Sequence, residues 1–196
     1  MLRKLSVGAM IAAAAITLSV APAAAAAPAK APAPAPRPVL QTTLYYDDSQ
    51  AAEFKDAIAA GVKVWNDNLQ NVELVKAQPG GRAEIQIIAD NGWPRAILGP
   101  VRPGGRVQVW YGRQAVTQGY DLTRIASHEL GHSLGLPDMK PGPCSSLMSG
   151  STGGVSCKNA LPNATEKARA EANYRARARA AAANFPFAGS LMVDAP

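Results

Sequence analysis

The stretch SHELGHSLGLPD, residues 127–138, decides how this sequence is interpreted. His128 and His132 are four residues apart, about one turn of an α-helix, so their side chains project from the same helix face. That spacing lets both imidazoles bind one Zn²⁺. Glu129 follows His128 and can reach a metal-bound water without being a ligand. The alternative is a helix with two hydrogen-bonded histidines and no metal.

The rest of this stretch supplies a third candidate ligand. A catalytic zinc ion normally has three protein ligands and one open position. The sequence contains only two histidines, so the third ligand has to be a carboxylate or a thiolate. Asp138 is the best candidate, because Gly135 can end the helix in a left-handed turn and Pro137 disfavours its continuation. The chain can then turn back and present Asp138 to the metal.

Strand and helix patterns flank this segment on both sides and predict an α/β (α+β) fold with a mixed sheet. We expect strands at 42–46, 72–74, 83–87 and 106–111, and a weaker edge strand at Arg95–Val101, which follows Pro94 and contains Pro100. We expect helices at 50–69, capped by Ser49, at 122–134, with Asp121 as a plausible cap, and from 165 to about 184, begun by a capping box of Asn163 and Glu166.

The formal charge of +6 is unevenly distributed along the 196 residues. Residues 39–163 contain eleven basic and eleven acidic side chains, and the positive excess lies in residues 1–38 and 164–183. A neutral body argues against a nucleic-acid-binding core. The arginines of 164–183 are spread around the predicted helix, which favours a solvated helix over one that binds membranes or nucleic acid.

Residues 1–27 are typical of a secretory signal peptide, with Arg3 and Lys4 ahead of an apolar run and small residues after it. The run is about 14 residues long, short of the ~20 of a membrane-spanning helix, which disfavours a retained anchor. We expect residues 28–41 to be a Pro/Ala-rich linker or short pro-segment, 42–184 the folded domain and 185–196 a C-terminal extension. The mature protein is expected to be a secreted monomer without a stable membrane anchor.

Cys144 and Cys157 are the only cysteines. In a secreted chain and a loop-rich region, a pair of cysteines favours a disulfide. In the chain-entropy model such a bond contributes roughly 3 kcal/mol to stability. A thiolate zinc ligand is the alternative, which the export signal and Asp138 disfavour.

The pattern H-E-x-x-H-x-x-G-x-x-D at 128–138 resembles the metzincin metalloprotease motif, with Asp in place of the usual third His. This variant is similar to the snapalysin family, small neutral proteases secreted by Streptomyces-type bacteria. The stretch L-M-S-G at 147–150 resembles the family's Met-turn. The resemblance extends over about 42–175, and other matching stretches are Y-D-x-T-R at 120–124 and G-P-C at 142–144.

The resemblance implies a metzincin-like fold: a mixed twisted sheet, an active-site helix and a C-terminal helix. It implies one catalytic zinc held by His128, His132 and Asp138, with Met148 beneath it. It also implies a structural Ca²⁺ at the residues matching Asp121 and Thr123, although Asp121 can equally be a helix cap.

Two further properties of the family bear on specificity. The family favours an aromatic residue on the C-terminal side of the cut bond. It commonly has Tyr two residues after the Asp ligand, where this sequence has Lys140. Lys140 can supply a charge there or point away from the site.

We therefore expect a secreted zinc metalloendopeptidase that cuts extracellular proteins and peptides. Glu129 is expected to act as general base on a zinc-bound water. Extended substrate is expected to pair with the edge strand Arg95–Val101. The alternative is a secreted, non-catalytic zinc-binding or interaction protein on the same scaffold, which would have little reason to keep Glu129 between two ligands.

Overall fold

Six strands form one sheet in the part of the chain that the computed structural model describes, residues 41–175 and 190–194. The predicted signal peptide, the linker up to residue 40 and the predicted helix beyond residue 175 lie outside that part. The strands are β1 (Thr42–Gln50), β2 (Val72–Lys76), β3 (Ile85–Asp90), β4 (Arg95–Ile97), β5 (Val107–Gly112) and β6 (Leu191–Val193).

The sheet is mixed, with the strand order β2-β1-β3-β5-β4-β6. The first four strands in this order are parallel, whereas β4 runs antiparallel to both β5 and β6. Burial alternates along β1: Leu44 and Tyr46 are buried, and Tyr45 between them is exposed. One face of the sheet is therefore packed, as the alternating sequence predicts.

Within residues 41–175 and 190–194, four α-helices accompany the sheet and confirm the predicted α/β class. They are α1 (Lys55–Asn68), α2 (Arg113–Thr117), α3 (Leu122–Ser133) and α4 (Ala164–Arg175). Two 3₁₀ helices, at Ala52–Phe54 and Leu147–Gly153, lie before α1 and between α3 and α4.

The apolar stripe of α1 packs in the core, as its spacing predicts. Ile58, Val62 and Trp65 are buried, and Trp65 is completely shielded from solvent. The Trp65 indole Nε1 donates a hydrogen bond of 2.8 Å to the carbonyl oxygen of Ser127 in α3. This bond fixes the position of α3 next to His128, so the core directly supports the motif.

The predicted start of the first helix is wrong. Ser49 was expected to cap a helix from Gln50, but β1 continues through Gln50, which lies opposite Ile88 in β3. The reason is a register irregularity in β1 between Asp47 and Gln50, which extends the pairing past the predicted end of the strand. Ser49 is thus a strand residue, and α1 begins at Lys55.

The prediction of β4 as an edge strand is also wrong. Its outer side pairs with β6, so that Ala96 lies opposite Met192. The Leu98 amide donates to the Ser190 carbonyl oxygen at 2.6 Å, and the Asp194 amide donates to the Pro94 carbonyl oxygen at 2.9 Å. The chain's own residues 190–194 therefore occupy the edge that the sequence assigns to substrate.

Helix α3 begins and ends where the sequence predicts. The Asp121 carboxylate accepts a hydrogen bond of 2.9 Å from the Arg124 amide, which makes Asp121 the N-cap. At the other end of the helix, Gly135 has a φ angle of +90°. The Gly135 amide donates to the carbonyl oxygen of His132, and the Leu136 amide donates to the carbonyl oxygen of Gly131. These are the two bonds of a Schellman motif.

We predict that Gly135→Ala destabilises the fold more than Gly119→Ala. Both glycines have φ near +90°, so alanine costs roughly 1–2 kcal/mol at either position. At Gly135 the new Cβ would also lie 2.7 Å from Pro100 Cδ, whereas at Gly119 there is open space. This overlap should cost roughly 1–3 kcal/mol more. Urea unfolding of the two variants measures the difference, and equal losses would contradict the proposed role of the turn.

Candidate metal centre

Three buried donor atoms meet at the C-terminal end of α3. Asp138 Oδ1 lies 3.3 Å from His128 Nε2 and 3.5 Å from His132 Nε2. Among the described residues, none of the three atoms has a hydrogen-bond partner. A tetrahedral zinc with bonds of about 2.0–2.1 Å needs ligand atoms about 3.3 Å apart. The three atoms therefore fit a zinc ion in both chemistry and spacing.

Backbone carbonyls orient both imidazole rings. His128 Nδ1 donates to the Leu147 carbonyl oxygen at 3.0 Å, and His132 Nδ1 donates to the Leu136 carbonyl oxygen at 2.7 Å. A proton on each Nδ1 leaves the Nε2 lone pair for a metal. Leu136 lies in the Schellman turn, so the turn that redirects the chain toward Asp138 also orients His132.

Glu129 is fully buried beside these donors, and neither of its carboxylate oxygens has a hydrogen-bond partner in the described chain. Burial raises the pKa of Glu129 well above the ordinary value, an effect that the positive charge of His128 only partly offsets. Burial of such a carboxylate lowers the stability of the fold. Both of its oxygens can take part in proton transfer.

Acidic groups dominate the electrostatics of the cluster. Burial alone would lower the pKa of His128, but the charge of Asp194 and the adjacent Asp138 carboxylate raise it to about 9. Burial, together with the neighbouring charge of His128, lowers the pKa of His132. Burial opposes ionisation of Asp138, but the close approach of His128 and the attraction between the two side chains lower the pKa of Asp138. The balance of charge favours a bound cation.

Met148 packs against α3 at Gly131. It is buried, and a Cβ on Gly131 would lie only 2.8 Å from its Sδ atom. Gly131 therefore allows the methionine to approach the helix between the two histidines. The Met148 carbonyl oxygen accepts a hydrogen bond of 2.7 Å from the Met139 amide, which ties this loop to the residue after Asp138.

Arg124 holds the Met148 loop against α3, a role that sequence reasoning missed. Its buried guanidinium donates to five oxygens, at 2.5–3.4 Å: the carbonyls of Ser146, Leu147, Gly150 and Asn159 and the hydroxyl of Ser149. The sequence shows Arg124 only as a residue of the first helical turn. A buried arginine is recognised only once the surrounding carbonyls are in place.

Glu166 braces the same loop from α4. The predicted capping box is present, since the Asn163 amide donates to Glu166 at 2.7 Å and the Glu166 amide donates to Asn163 at 3.0 Å. The same carboxylate accepts from the Ser146 hydroxyl at 2.6 Å and from the Met148 amide at 2.9 Å. Sequence reasoning found the cap but not these contacts with the loop.

The predicted disulfide between Cys144 and Cys157 is confirmed, with Cα atoms 5.5 Å apart. It closes the loop that contains Met148. Asp121 caps α3, as described above. No cluster of three or more metal-binding side chains in the described residues includes Asp121, and Thr123 is half-buried beside it.

Lys140 and Asp194 complete the surroundings of the cluster. Lys140 points into the site, with Nζ 3.7 Å from Asp138 Oδ2 and 2.5 Å from Asp194 Oδ1. Asp194 Oδ1 also lies 3.7 Å from His128 Nε2. Asp194 was not predicted as a site residue, because it is 56 positions beyond Asp138 in a segment without a motif.

Comparison with known proteins identifies the family. Residues 41–176 match the model of the Streptomyces extracellular neutral proteinase (M7) family. This chain belongs to that family. The extracellular small neutral protease of Streptomyces caespitosus is 41% identical over 130 residues, 66% of this chain and 95% of that protein. The one of Streptomyces coelicolor is 40% identical over 132 residues, 67% of this chain and 59% of that protein.

Among solved structures, high choriolytic enzyme 1 (HCE-1), a hatching enzyme zinc-protease from Oryzias latipes, is similar with a TM-score of 0.37 and 19% identity. The match covers 50% of this chain and 46% of that one.

Family membership confirms the predicted class of enzyme, a metalloendopeptidase of the snapalysin family, and its extracellular location. In residues 41–175 and 190–194, no helix is long and apolar enough to cross a membrane.

We predict that Arg124→Met lowers the free energy of unfolding by roughly 3 kcal/mol, because buried carbonyls lose a charged donor. Arg82→Met is the matched control: the Arg82 side chain is 67% exposed, and its loss should change stability by no more than about 0.5 kcal/mol. Urea unfolding tests both. Similar small changes in the two variants would show that Arg124 does not hold the loop.

Proposed function

We propose that this member of the family hydrolyses peptide bonds of extracellular proteins at a zinc ion held by His128, His132 and Asp138. The observation that supports this most directly is the set of three buried donor atoms that have no hydrogen-bond partner in the described part of the chain and are spaced as zinc requires. Glu129 lies beside these atoms, and its carboxylate can act as the general base that catalysis requires.

Zinc, when bound, would supply Lewis acidity toward a water molecule and the carbonyl group of the substrate. The Glu129 carboxylate would accept a proton from a water molecule whose oxygen bonds to the scissile carbonyl carbon. It would then deliver that proton to the amine that leaves as the C–N bond breaks. Neither Glu129 oxygen has a hydrogen-bond partner among the described residues, so both are available for these transfers.

A non-catalytic zinc-binding protein on the same scaffold is the competing function. Such a protein would gain nothing from Glu129, because an unpartnered buried carboxylate costs free energy. The retention of this group favours the enzyme.

Two other expectations remain proposals. We propose that residues 1–27 direct export and are removed. The Ca²⁺ site at Asp121 and Thr123 is supported by the resemblance alone, since one Asp121 oxygen already caps α3.

A pocket beside the metal centre fits the proposed aromatic preference. It has a volume of about 270 Å³ and lies between the residues that follow α3, the Met148 loop and the start of α4. Its walls are mainly apolar and include Leu136, Pro141 and Met148, with Thr165 and Arg169 from α4. A flat aromatic ring gains most from burial between such walls.

We predict that Thr165→Trp reduces the preference for aromatic residues on the C-terminal side of the cut, because the indole would fill the pocket. Ala168→Trp is the control: Ala168 is exposed on the same helix and does not line the pocket. Cleavage-site profiling on a peptide library compares the two. The pocket assignment is wrong if Thr165→Trp cuts with an unchanged preference.

We predict that Glu129→Gln lowers the rate of casein hydrolysis by about 10²- to 10⁴-fold while the protein keeps one equivalent of zinc. Asp138→Ala should lose the stoichiometric zinc together with activity. Activity of the parent chain should disappear with 1,10-phenanthroline and return with added zinc. Metal analysis and the hydrolysis assay are run on the same samples.

Activity retained by Glu129→Gln, or by the parent in the presence of chelator, would contradict the proposed mechanism. A zinc-loaded parent without any hydrolysis would favour the non-catalytic alternative. Zinc bound by Asp138→Ala with unchanged affinity would indicate another third ligand.

A further inference from the structure

Residues 190–194 lie where an extended substrate would bind. They add β6 to the outer side of β4, held by hydrogen bonds from Leu98 to Ser190 and from Asp194 to Pro94. This is the way in which peptides bind to an exposed sheet edge, through main-chain bonds that do not depend on sequence. The same edge cannot pair with β6 and with a substrate.

Little apolar burial holds this segment in place. Leu191 is 53% exposed and Val193 is 44% exposed. A strand of three residues with two exposed apolar side chains gains little from the hydrophobic effect. Main-chain pairing and Asp194 therefore provide most of the attachment, and a competing peptide can offer the same main-chain bonds.

Asp194 anchors the segment at the metal centre. Its buried carboxylate Oδ1 lies 2.5 Å from Lys140 Nζ and 3.7 Å from His128 Nε2, and it accepts a hydrogen bond of 3.2 Å from the Ser151 amide. Gly150, at φ +52°, makes room for it, because a Cβ there would overlap the carboxylate. Asp194 also forms, with His128 and Glu129, a second group of side chains that could bind a metal ion.

We propose that residues 190–194 compete with the substrate for the outer side of β4 and so inhibit the enzyme. In this arrangement β6 occupies the substrate edge, and Asp194 places its carboxylate between Lys140 and the metal ligands. A substrate bound at the proposed zinc would need this space, because Asp194 Oδ1 lies 3.7 Å from His128 Nε2. The inference rests on the proposed function, since it assumes that substrate pairs with β4. Substrate must displace the segment before it can bind.

The segment lies outside the part of the chain that carries the proposed zinc ligands. The family match ends at residue 176, and residues 190–194 lie beyond it. The proposed zinc ligands and Glu129 come from α3 and the turn after it, inside the matched region. The proposed ligand set is therefore complete without the segment.

Lys140 gains a specific role from this arrangement. Its ammonium group contacts the Asp194 carboxylate directly. When a substrate displaces the segment, this ion pair is broken, so Lys140 helps to hold the segment in place.

Amide hydrogen exchange tests whether the segment occupies the edge in solution. The full-length chain, Met192→Pro and Met192→Ala are compared, because proline has no N–H and is incompatible with strand pairing, whereas alanine keeps the backbone donor. The Leu98 amide, which donates to Ser190, should exchange roughly tenfold faster or more in Met192→Pro and at the parent rate in Met192→Ala. Equal exchange rates in all three proteins would overturn the proposal.

Peptide affinity tests whether occupancy blocks binding, without any need for turnover. Each variant is combined with Glu129→Gln, loaded with zinc and titrated with a fluorescein-labelled peptide that has a central phenylalanine. If the segment is bound about nine-tenths of the time, Met192→Pro and Asp194→Asn should bind the peptide roughly tenfold more tightly than the parent and Met192→Ala. An amidated peptide with the sequence of residues 190–194 should compete with the labelled peptide.

Unchanged peptide affinity in Met192→Pro and Asp194→Asn would overturn the proposal, even if exchange shows the segment in place. Both measurements are independent of catalysis. A parent chain that fails to hydrolyse casein would therefore contradict the proposed function, and the competition between segment and peptide would still be decided by these two experiments.

Discussion

The turn that ends α3 is the constraint on which the metal centre depends. Two backbone hydrogen bonds of this turn end the helix before Gly135. The φ angle of Gly135, +90°, directs the chain back toward the helix. That reversal places Leu136 where its carbonyl orients His132 and places Asp138 against both imidazoles. Three donors separated by up to ten positions in sequence thus meet because one residue adopts a backbone conformation that favours glycine.

The cost of burying so many polar groups is offset by the elements around them. Arg124 and Glu166 satisfy carbonyls and amides of the Met148 loop, and Trp65 donates a hydrogen bond to a carbonyl of α3. Within the described residues, most of the buried side-chain atoms without hydrogen-bond partners belong to the proposed zinc ligands and to Glu129, the proposed base. Because buried polar atoms are normally paired, this distribution supports our proposal that a cation binds here.

Local patterns in the sequence predicted the parts of the site that are local in space. Three predicted features depend only on neighbours within a few residues, and the structure contains all three. They are the spacing of His128 and His132 on one helix, the turn at Gly135 and the capping box of Glu166. Long-range contacts were not predictable in this way. Three features depend on residues that are far apart in sequence and meet only in the folded chain. They are the contact of Asp194 with Lys140, the five hydrogen bonds of Arg124 and the pairing of β6 with β4.

We propose that His128, His132 and Asp138 jointly hold the catalytic zinc. Anomalous diffraction at the zinc absorption edge, from crystals of the zinc-loaded chain, locates the ion. We expect one strong peak about 2.0–2.2 Å from both Nε2 atoms and from an Asp138 oxygen. A peak elsewhere, such as beside Asp121 and Thr123, with none among these three side chains, would contradict it.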